Sequence, residues 1–544
     1  MRLTQPNPQF SFLALLGGVF LTIFVLLGSF CNLAYFPTLW WDEAIFSETA
    51  ANLVQHGRYA FTVQSPDQLN DLDYRISVGP AVILPVAMAY RLFGVGVIPG
   101  RLVMGLFLCL VFLSLYLGAK RLWGRGTALA AAALALAGTD VLYWGRSVLG
   151  DIPALGLFLC GTWLLVRGLE EEAPYFLLGG GVFLGLAFAA KEFYGLAFLP
   201  PLGVMARHSW GHKSRLARWM LVYILGLSLP LLAYLGMKWV ILGDLPGAVI
   251  HFWSQKKLLC HEFFTPLTIG RIYPESAVYL LGHPLIWLGI LGSWWTVKRE
   301  AYSPGARLWV WNFILWSLVY LTAVWWHRFA LPALFLAAPL GVHFLRQGLG
   351  RLAASLVSRP RPGWLAGGLT LSLIMVYPFS GLEYLDMILT SRTKADSPYR
   401  LVDFLKKVPR QCLIETPEYE LAFLDDDHRI HLMPAFFFVE ATPEKIVLLN
   451  PRNKPYDFNR VGAEVLILGT FGKSVFRQVY PPERLAKEWR RVAQVDNYDI
   501  YVSRKTGKKL LATLSRSLAP TRLEVPPKPL YNISDVSSNY QDYH

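Results

Sequence analysis

The run Trp40-Trp41-Asp42-Glu43-Ala44 sets two carboxylates beside two tryptophans, just after a long apolar stretch. Ile45, Phe46, Thr49, Ala50, Leu53 and Val54 follow at helical spacing, with Glu48 and Asn52 on the other side and Gly57 after them. This pattern predicts an amphipathic helix lying in a membrane surface, ended by Gly57, with the tryptophans at headgroup level. Asp42 falls at the start of that helix, where exposed amides and the helix dipole suit a negative charge. As a helix cap alone it would contribute about 0.5–2 kcal/mol. As an ionised carboxylate on a rigid mount, it could take a proton from a hydroxyl group.

Other charged groups gather beside apolar segments. Arg146 and Asp151 bracket one short turn, Lys191 and Glu192 occupy the next, and His327 and Arg328 follow Trp325-Trp326. A longer loop, about 243–276, carries His251, Lys256, Lys257, His261 and Arg271. Ionisable residues at membrane depth are costly and point to a site. A single one could be a snorkelling loop-end residue, but several on one face favour a shared role. Such a set suits transfer of a sugar held on a lipid phosphate. The carboxylate receives the acceptor's proton, and Lys191, Arg146, Arg328 and His327 stabilise the departing phosphate. Direct displacement would invert the anomeric centre.

These groups need a membrane scaffold, and the composition provides one. Of 544 residues 54% are hydrophobic and only 16% charged, where soluble domains carry roughly 25% charge. Eleven apolar segments are long enough to be read as spans: roughly 11–35, 99–119, 126–145, 151–168, 174–190, 193–206, 217–242, 277–297, 308–326, 329–346 and 364–388. The net charge of +14 concentrates in alternate loops, including Lys120, Arg121 and Arg125, then Arg207, Lys213, Arg215 and Arg218. This asymmetry puts the N-terminus and those loops in the cytoplasm and the first long loop, about 37–98, outside. The first span is read as an uncleaved anchor.

The expected fold is therefore mainly α: a polytopic bundle of about eleven transmembrane helices, residues 1–388, with an extracytoplasmic α/β domain at 389–512. In that domain Pro398–Val408 reads as a helix, and Cys412–Glu415, Ala463–Gly469 and Tyr498–Val502 read as strands. Residues 513–544 form a Pro/Ser-rich tail with the composition of a disordered segment. Cys260 and Cys412 both fall outside on this topology, which permits a disulfide between them without establishing one. The basic run Arg504-Lys505 and Lys508-Lys509 reads as a solvated face rather than a nucleic-acid footprint.

Several motifs in order resemble one family. Trp41-Asp42-Glu43-Ala44, with Ala50-Ala51-Asn52-Leu53 and Gly57, is similar to the first-loop motif of the GT-C glycosyltransferases. The likeness is to the branch of the protein O-mannosyltransferases and the lipid A aminoarabinose transferase. Val78-Gly79-Pro80, Leu92-Phe93-Gly94 and Arg101 resemble the lead into its second span. Arg146 with Asp151-Ile152-Pro153, Ala190-Lys191 with Pro200-Pro201, and Arg328-Phe329-Ala330-Leu331-Pro332 with Pro339 resemble its later motifs. The resemblance covers about residues 10–390 and departs from the pattern at Ala81 and Phe329, where relatives often carry Pro and Tyr.

The resemblance implies a polyprenyl- or dolichyl-phosphate sugar donor and an extracytoplasmic site in a bacterial plasma membrane. It implies Asp42 as catalytic base with Glu43 and Asp151 in support, and a phosphate clamp including Lys191 and Arg328. The acceptor would be a lipid, a glycan or a protein. Tyr59, Arg75, His251, His261 and Arg271 are the candidate substrate-loop residues. No cofactor is certain: some GT-C enzymes use a divalent metal, and this branch generally does not need one. The competing functions are a transporter, which would place its charges nearer the bilayer midplane, a glycan polymerase or ligase working without Asp42, and a receptor or scaffold.

Overall fold

The computed structural model describes residues 8–64, 68–73, 75–252, 274–299, 303–322, 326–356, 380–390, 397–433, 439–442, 445–448, 456–474, 476–477 and 479–505. His261, Arg271, Cys260 and the tail at 513–544 lie outside these residues. The described chain divides into two compact units. One comprises residues up to Leu33, Ser77–Pro85 and Gly100–Thr390; the other comprises Ala34–Ile76, Val86–Pro99 and the residues from Ser391 on.

The first unit is helical. Among the described residues, four helices have the length and apolar character to cross a membrane: Val97–Trp123, Asp151–Glu170, Lys213–Leu242 and His327–Gly348. Pro274–Gly282 and Pro284–Arg299 together would make a fifth, bent by 72° where Pro284 interrupts the backbone ladder. Shorter apolar helices run over Leu15–Phe30, Pro80–Phe93, Arg125–Ala137 and Pro174–Ala190. The segment expected to span at 193–206 is instead a 3-10 turn, Glu192–Phe198, leading into the helix Leu199–His208. Pro200 and Pro201 sit in the first turn of that helix, where no amide donor is needed.

The second unit is built on a seven-stranded sheet. Its strands are β1 (Ala60–Gln64), β2 (Gln68–Asp71), β3 (Leu413–Thr416), β4 (Arg429–Leu432), β5 (Val465–Leu468), β6 (Trp489–Val495) and β7 (Tyr498–Ser503). The spatial order is β2-β1-β4-β3-β5-β7-β6. β3 pairs in parallel with β4 and β5, and the other pairs are antiparallel. Val465, Leu466 and Ile467 are all fully buried, the run expected of a strand covered on both faces. A separate hairpin pairs Val439–Thr442 with Lys445–Leu448. The strands foreseen near 412, 465 and 498 and the helix near 400 (Ser397–Leu405) are present.

The first-loop helix differs from its expected setting. It spans Trp41–His56 and closes at Gly57, whose φ of 67° is the left-handed conformation glycine tolerates. It does not lie half-exposed in a surface, because Glu43 through Asn52 are all buried. The side carrying Glu48 and Asn52 faces β1: Asn52 Nδ2 donates to Ala60 O and Thr62 Oγ1, each at 3.1 Å. Trp41 is likewise not an interfacial anchor. Its ring stacks on Tyr419 at 4.9 Å and Phe471 at 5.2 Å, and its Nε1 donates to Pro417 O. The N-cap position belongs to Trp40, so Asp42 lies within the first turn and is not the cap.

Burying Glu48 has a measurable consequence. Its carboxyl is pushed up to about 8 by burial, against the opposing Thr62 hydrogen bond and Arg75 charge. The folded value exceeds the ordinary 4.5, so the native state holds the proton more tightly. The resulting stability is complete below the unfolded value and is lost as pH rises through the folded one. The thermal stability of the full chain should therefore fall as pH rises from 4.5 to about 8, and Glu48→Gln should flatten the profile in that window. Parallel wild-type and variant profiles would show that Glu48 is not the titrating group.

Candidate active site

Within the helical unit, three sequence-predicted residues meet. Asp151 opens the helix Asp151–Glu170, where the dipole favours a carboxylate. Pro153 fits the same first turn because its missing amide has no partner there. Lys191 follows the helix Pro174–Ala190 as its C-cap with extended backbone, φ −149° and ψ 115°. Its amide still bonds back to Ala187 O, and its side chain reaches the neighbouring helix start. Lys191 Nζ donates to both Asp151 oxygens, at 2.7 and 2.8 Å. Arg328 sits on the 3-10 turn His327–Ala330, with its Nε 3.9 Å from Asp151 Oδ2. Two cations thus flank one carboxylate, and the Asp151 and Arg328 side chains are only 3% and 5% exposed.

Aromatic rings shape this cluster. The Arg328 guanidinium lies 4.5 Å from the Trp326 ring and 5.4 Å from that of Trp144. Lys191 Nζ is 4.9 Å from the centre of Phe329, so the ring meets the cation with its π face. Tyr194, packed on Trp316 and Phe158, is buried below. The Lys191 turn is held by the segment leading into the next helix. Gly79 N donates to Ala190 O at 3.1 Å, and a β-carbon on Gly79 would stand 2.1 Å from Ala189 O. No side chain fits at residue 79 without moving the backbone that carries Lys191.

The other candidates occupy different places. Arg146 is fully buried, and its guanidinium donates to Gly28 O and Cys31 O at the end of the first helix. His327 lies 3.9 Å from Asp140 Oδ2 and stacks on Tyr279 at 4.0 Å. Asp140 also accepts from Trp144 Nε1 at 2.7 Å. His251 Nδ1 is 3.3 Å from Lys238 Nζ, and Tyr234 OH donates to Glu192 Oε1.

In the second unit Asp42 and Glu43 share the first turn of Trp41–His56, Asp42 half-buried and Glu43 buried. Arg75 forks onto Asp73 at 2.7 and 2.8 Å and lies 4.0 Å over the Phe61 ring. That pairing holds the Asp73 carboxyl below its ordinary value despite burial. Tyr59 is buried, and its carbonyl accepts from Leu72 N. Arg75 and Tyr59 therefore brace the loop from inside. Among the described residues no group of three His, Cys, Asp or Glu side chains could hold a metal ion.

Asp140 and Lys238 escaped the sequence reading. Each lies inside an apolar run taken as a continuous span, and an ionisable residue in such a run is the signal that would have found them.

The family model for dolichyl-phosphate-mannose-protein mannosyltransferase matches residues 77–235, and no curated protein matches the chain. Solved structures share its fold. ArnT from Cupriavidus metallidurans, bound to undecaprenyl phosphate, aligns over 90% of this chain and 97% of its own, with 15% identity and a TM-score of 0.59. The archaeal oligosaccharyltransferase AglB from Archaeoglobus fulgidus, in complex with an inhibitory peptide and a dolichol-phosphate, aligns over 90% of this chain and 74% of its own, with 11% identity and a TM-score of 0.54. The matched family segment carries the Asp151–Lys191 pair, and the solved structures show that the chain shares the fold of these lipid-phosphate-bound proteins.

Proposed function

We propose that the chain is a glycosyltransferase that takes a sugar from a polyprenyl- or dolichyl-phosphate donor and passes it to an acceptor hydroxyl. One observation carries this reading: Lys191 and Arg328 both lie against Asp151, and all three side chains are largely shielded from water. The donor is a phosphodiester with one negative charge. Its departing lipid phosphate is a monoester and gains a second. A site with two cations favours the product charge over the starting charge, which is the differential binding that lowers a barrier. The structures of ArnT with undecaprenyl phosphate and AglB with dolichol-phosphate support a donor of this class.

In the proposed step, Asp42 accepts the acceptor's hydroxyl proton as the acceptor oxygen bonds to the anomeric carbon. The bond from that carbon to the phosphate oxygen breaks, its electron pair leaves with the lipid phosphate, and the configuration inverts. Glu43 supports Asp42 within the same helical turn. Asp151 positions Lys191, Arg146 holds the end of the first helix, and His327 steadies the turn carrying Arg328. Tyr59, Arg75, His251, His261 and Arg271 belong to the loops that receive substrate. On this reading the reaction occurs at the extracytoplasmic face of a plasma membrane with the N-terminus in the cytoplasm.

The test is to supply proteoliposomes with a labelled lipid-linked sugar. Free lipid phosphate released in step with sugar transfer is expected. Donor crossing the bilayer intact would mark a transporter instead.

A further inference from the structure

The far edge of the seven-stranded sheet borders a cavity of about 500 Å³, within the range of small-ligand sites. Leu485, Trp489 and Tyr501 supply an apolar, aromatic lining, and Arg477, Arg490 and Arg504 supply charge. None of its lining residues is acidic. Lys473 and Arg491, also at the cavity, pair with Asp499. Arg477, Arg490 and Arg504 are exposed and make no ion pair with a described carboxylate.

The lining is built rather than incidental. β6 loses register with β7 between Arg491 and Ala493. Before that shift Trp489 and Arg491 alternate onto one face of β6, Arg491 sits opposite Tyr501 of β7, and all three line the cavity together with Arg490 on this edge strand. Tyr480 forms part of the wall and is fixed from behind, because its OH donates to the buried Glu415 at 3.0 Å. Glu415 is itself tied to Tyr456 and His431, each at 2.6 Å.

We infer that this cavity binds an acidic sugar, one bearing a carboxylate or a phosphate, as a segment of the acceptor. Guanidinium forks match either anion, and the half-buried Tyr501 ring offers a face to the apolar side of a sugar. A concave cavity fits a glycan segment better than a flat sheet of anionic headgroups. The role as acceptor rests on the glycosyltransferase reading; the binding itself does not, so an equilibrium measurement separates the two.

Full-length protein in zwitterionic nanodiscs is titrated with three probes at equal ionic strength: a hexuronate trisaccharide, neutral maltotriose and inorganic phosphate. The trisaccharide should bind, more weakly as salt rises. The double variant Arg477→Gln, Arg490→Gln should lower its affinity tenfold or more, with an unchanged melting temperature showing that the fold is intact. Equal binding of the acidic and neutral sugars, or an unaffected double variant, overturns the proposal. Phosphate binding as tightly as the trisaccharide would reduce the cavity to a simple anion site and also overturn it. So would a double variant that loses only attachment to nanodiscs containing anionic lipid, which would make the patch a membrane contact.

Discussion

Asp42→Asn should cut sugar transfer by about 10²–10⁴-fold, the range a positioned general base contributes. The substitution keeps the size and most of the hydrogen bonding of the side chain and removes its ability to hold a proton. Binding of the lipid-phosphate donor should be unchanged, because the proposed base acts on the acceptor. The expected signature is therefore a fall in kcat with an unaltered donor affinity. Donor consumption by the variant at near wild-type rate would remove Asp42 from the mechanism. It would favour a transferase that draws on another group.

Lys191→Met should weaken binding of polyprenyl phosphate by on the order of 10²-fold, the scale of losing one partner from a buried charge pair. The same substitution leaves the buried Asp151 with only Arg328, 3.9 Å away, to balance it, and breaking a buried pair costs about 3–5 kcal/mol. Stability and binding must therefore be separated. Lys191→Arg keeps the charge beside Asp151 and should recover the fold and part of the affinity. Asp151→Asn removes the acid and leaves both cations, so the variant should still bind lipid phosphate while its transfer rate falls, because Lys191 is no longer aimed. If Lys191→Met binds lipid phosphate as well as wild type once its folding is verified, the clamp is elsewhere.

The parts of this molecule that were legible in sequence share a physical cause. Asp151, Lys191 and Arg328 were conspicuous because each is a charge abutting an apolar run, and the structure brings those three side chains together. Val465–Leu468 was legible as a strand because a buried central strand is apolar throughout. The hairpin of β1 and β2 was not, since its strands are five and four residues long and Gln68–Asp71 is mostly polar. That hairpin explains the wrong setting given to the first-loop helix. Glu48 and Asn52 looked like a solvent face, yet they meet Thr62 and the Ala60 carbonyl. Period alone identifies a polar stripe and cannot tell whether water or another strand satisfies it.

Breaks in the apolar segments were hidden for a related reason. Pro284 lies within a run whose hydropathy suggests continuity, but the helix pair bends by 72° there, and the run at 193–206 opens as the 3-10 turn Glu192–Phe198 before Pro200-Pro201 start a new helix. Asp140 was hidden inside such a run. It ends as the partner of Trp144 beside His327, on the flank of the Arg328 turn.

The most direct test is a structure of the full chain with polyprenyl phosphate bound. The phosphorus should lie roughly 4–5 Å from Lys191 Nζ and from the Arg328 guanidinium, the separation direct charge-assisted hydrogen bonds impose. A headgroup seated away from both cations, with the Asp151–Lys191 pair undisturbed, would contradict the account.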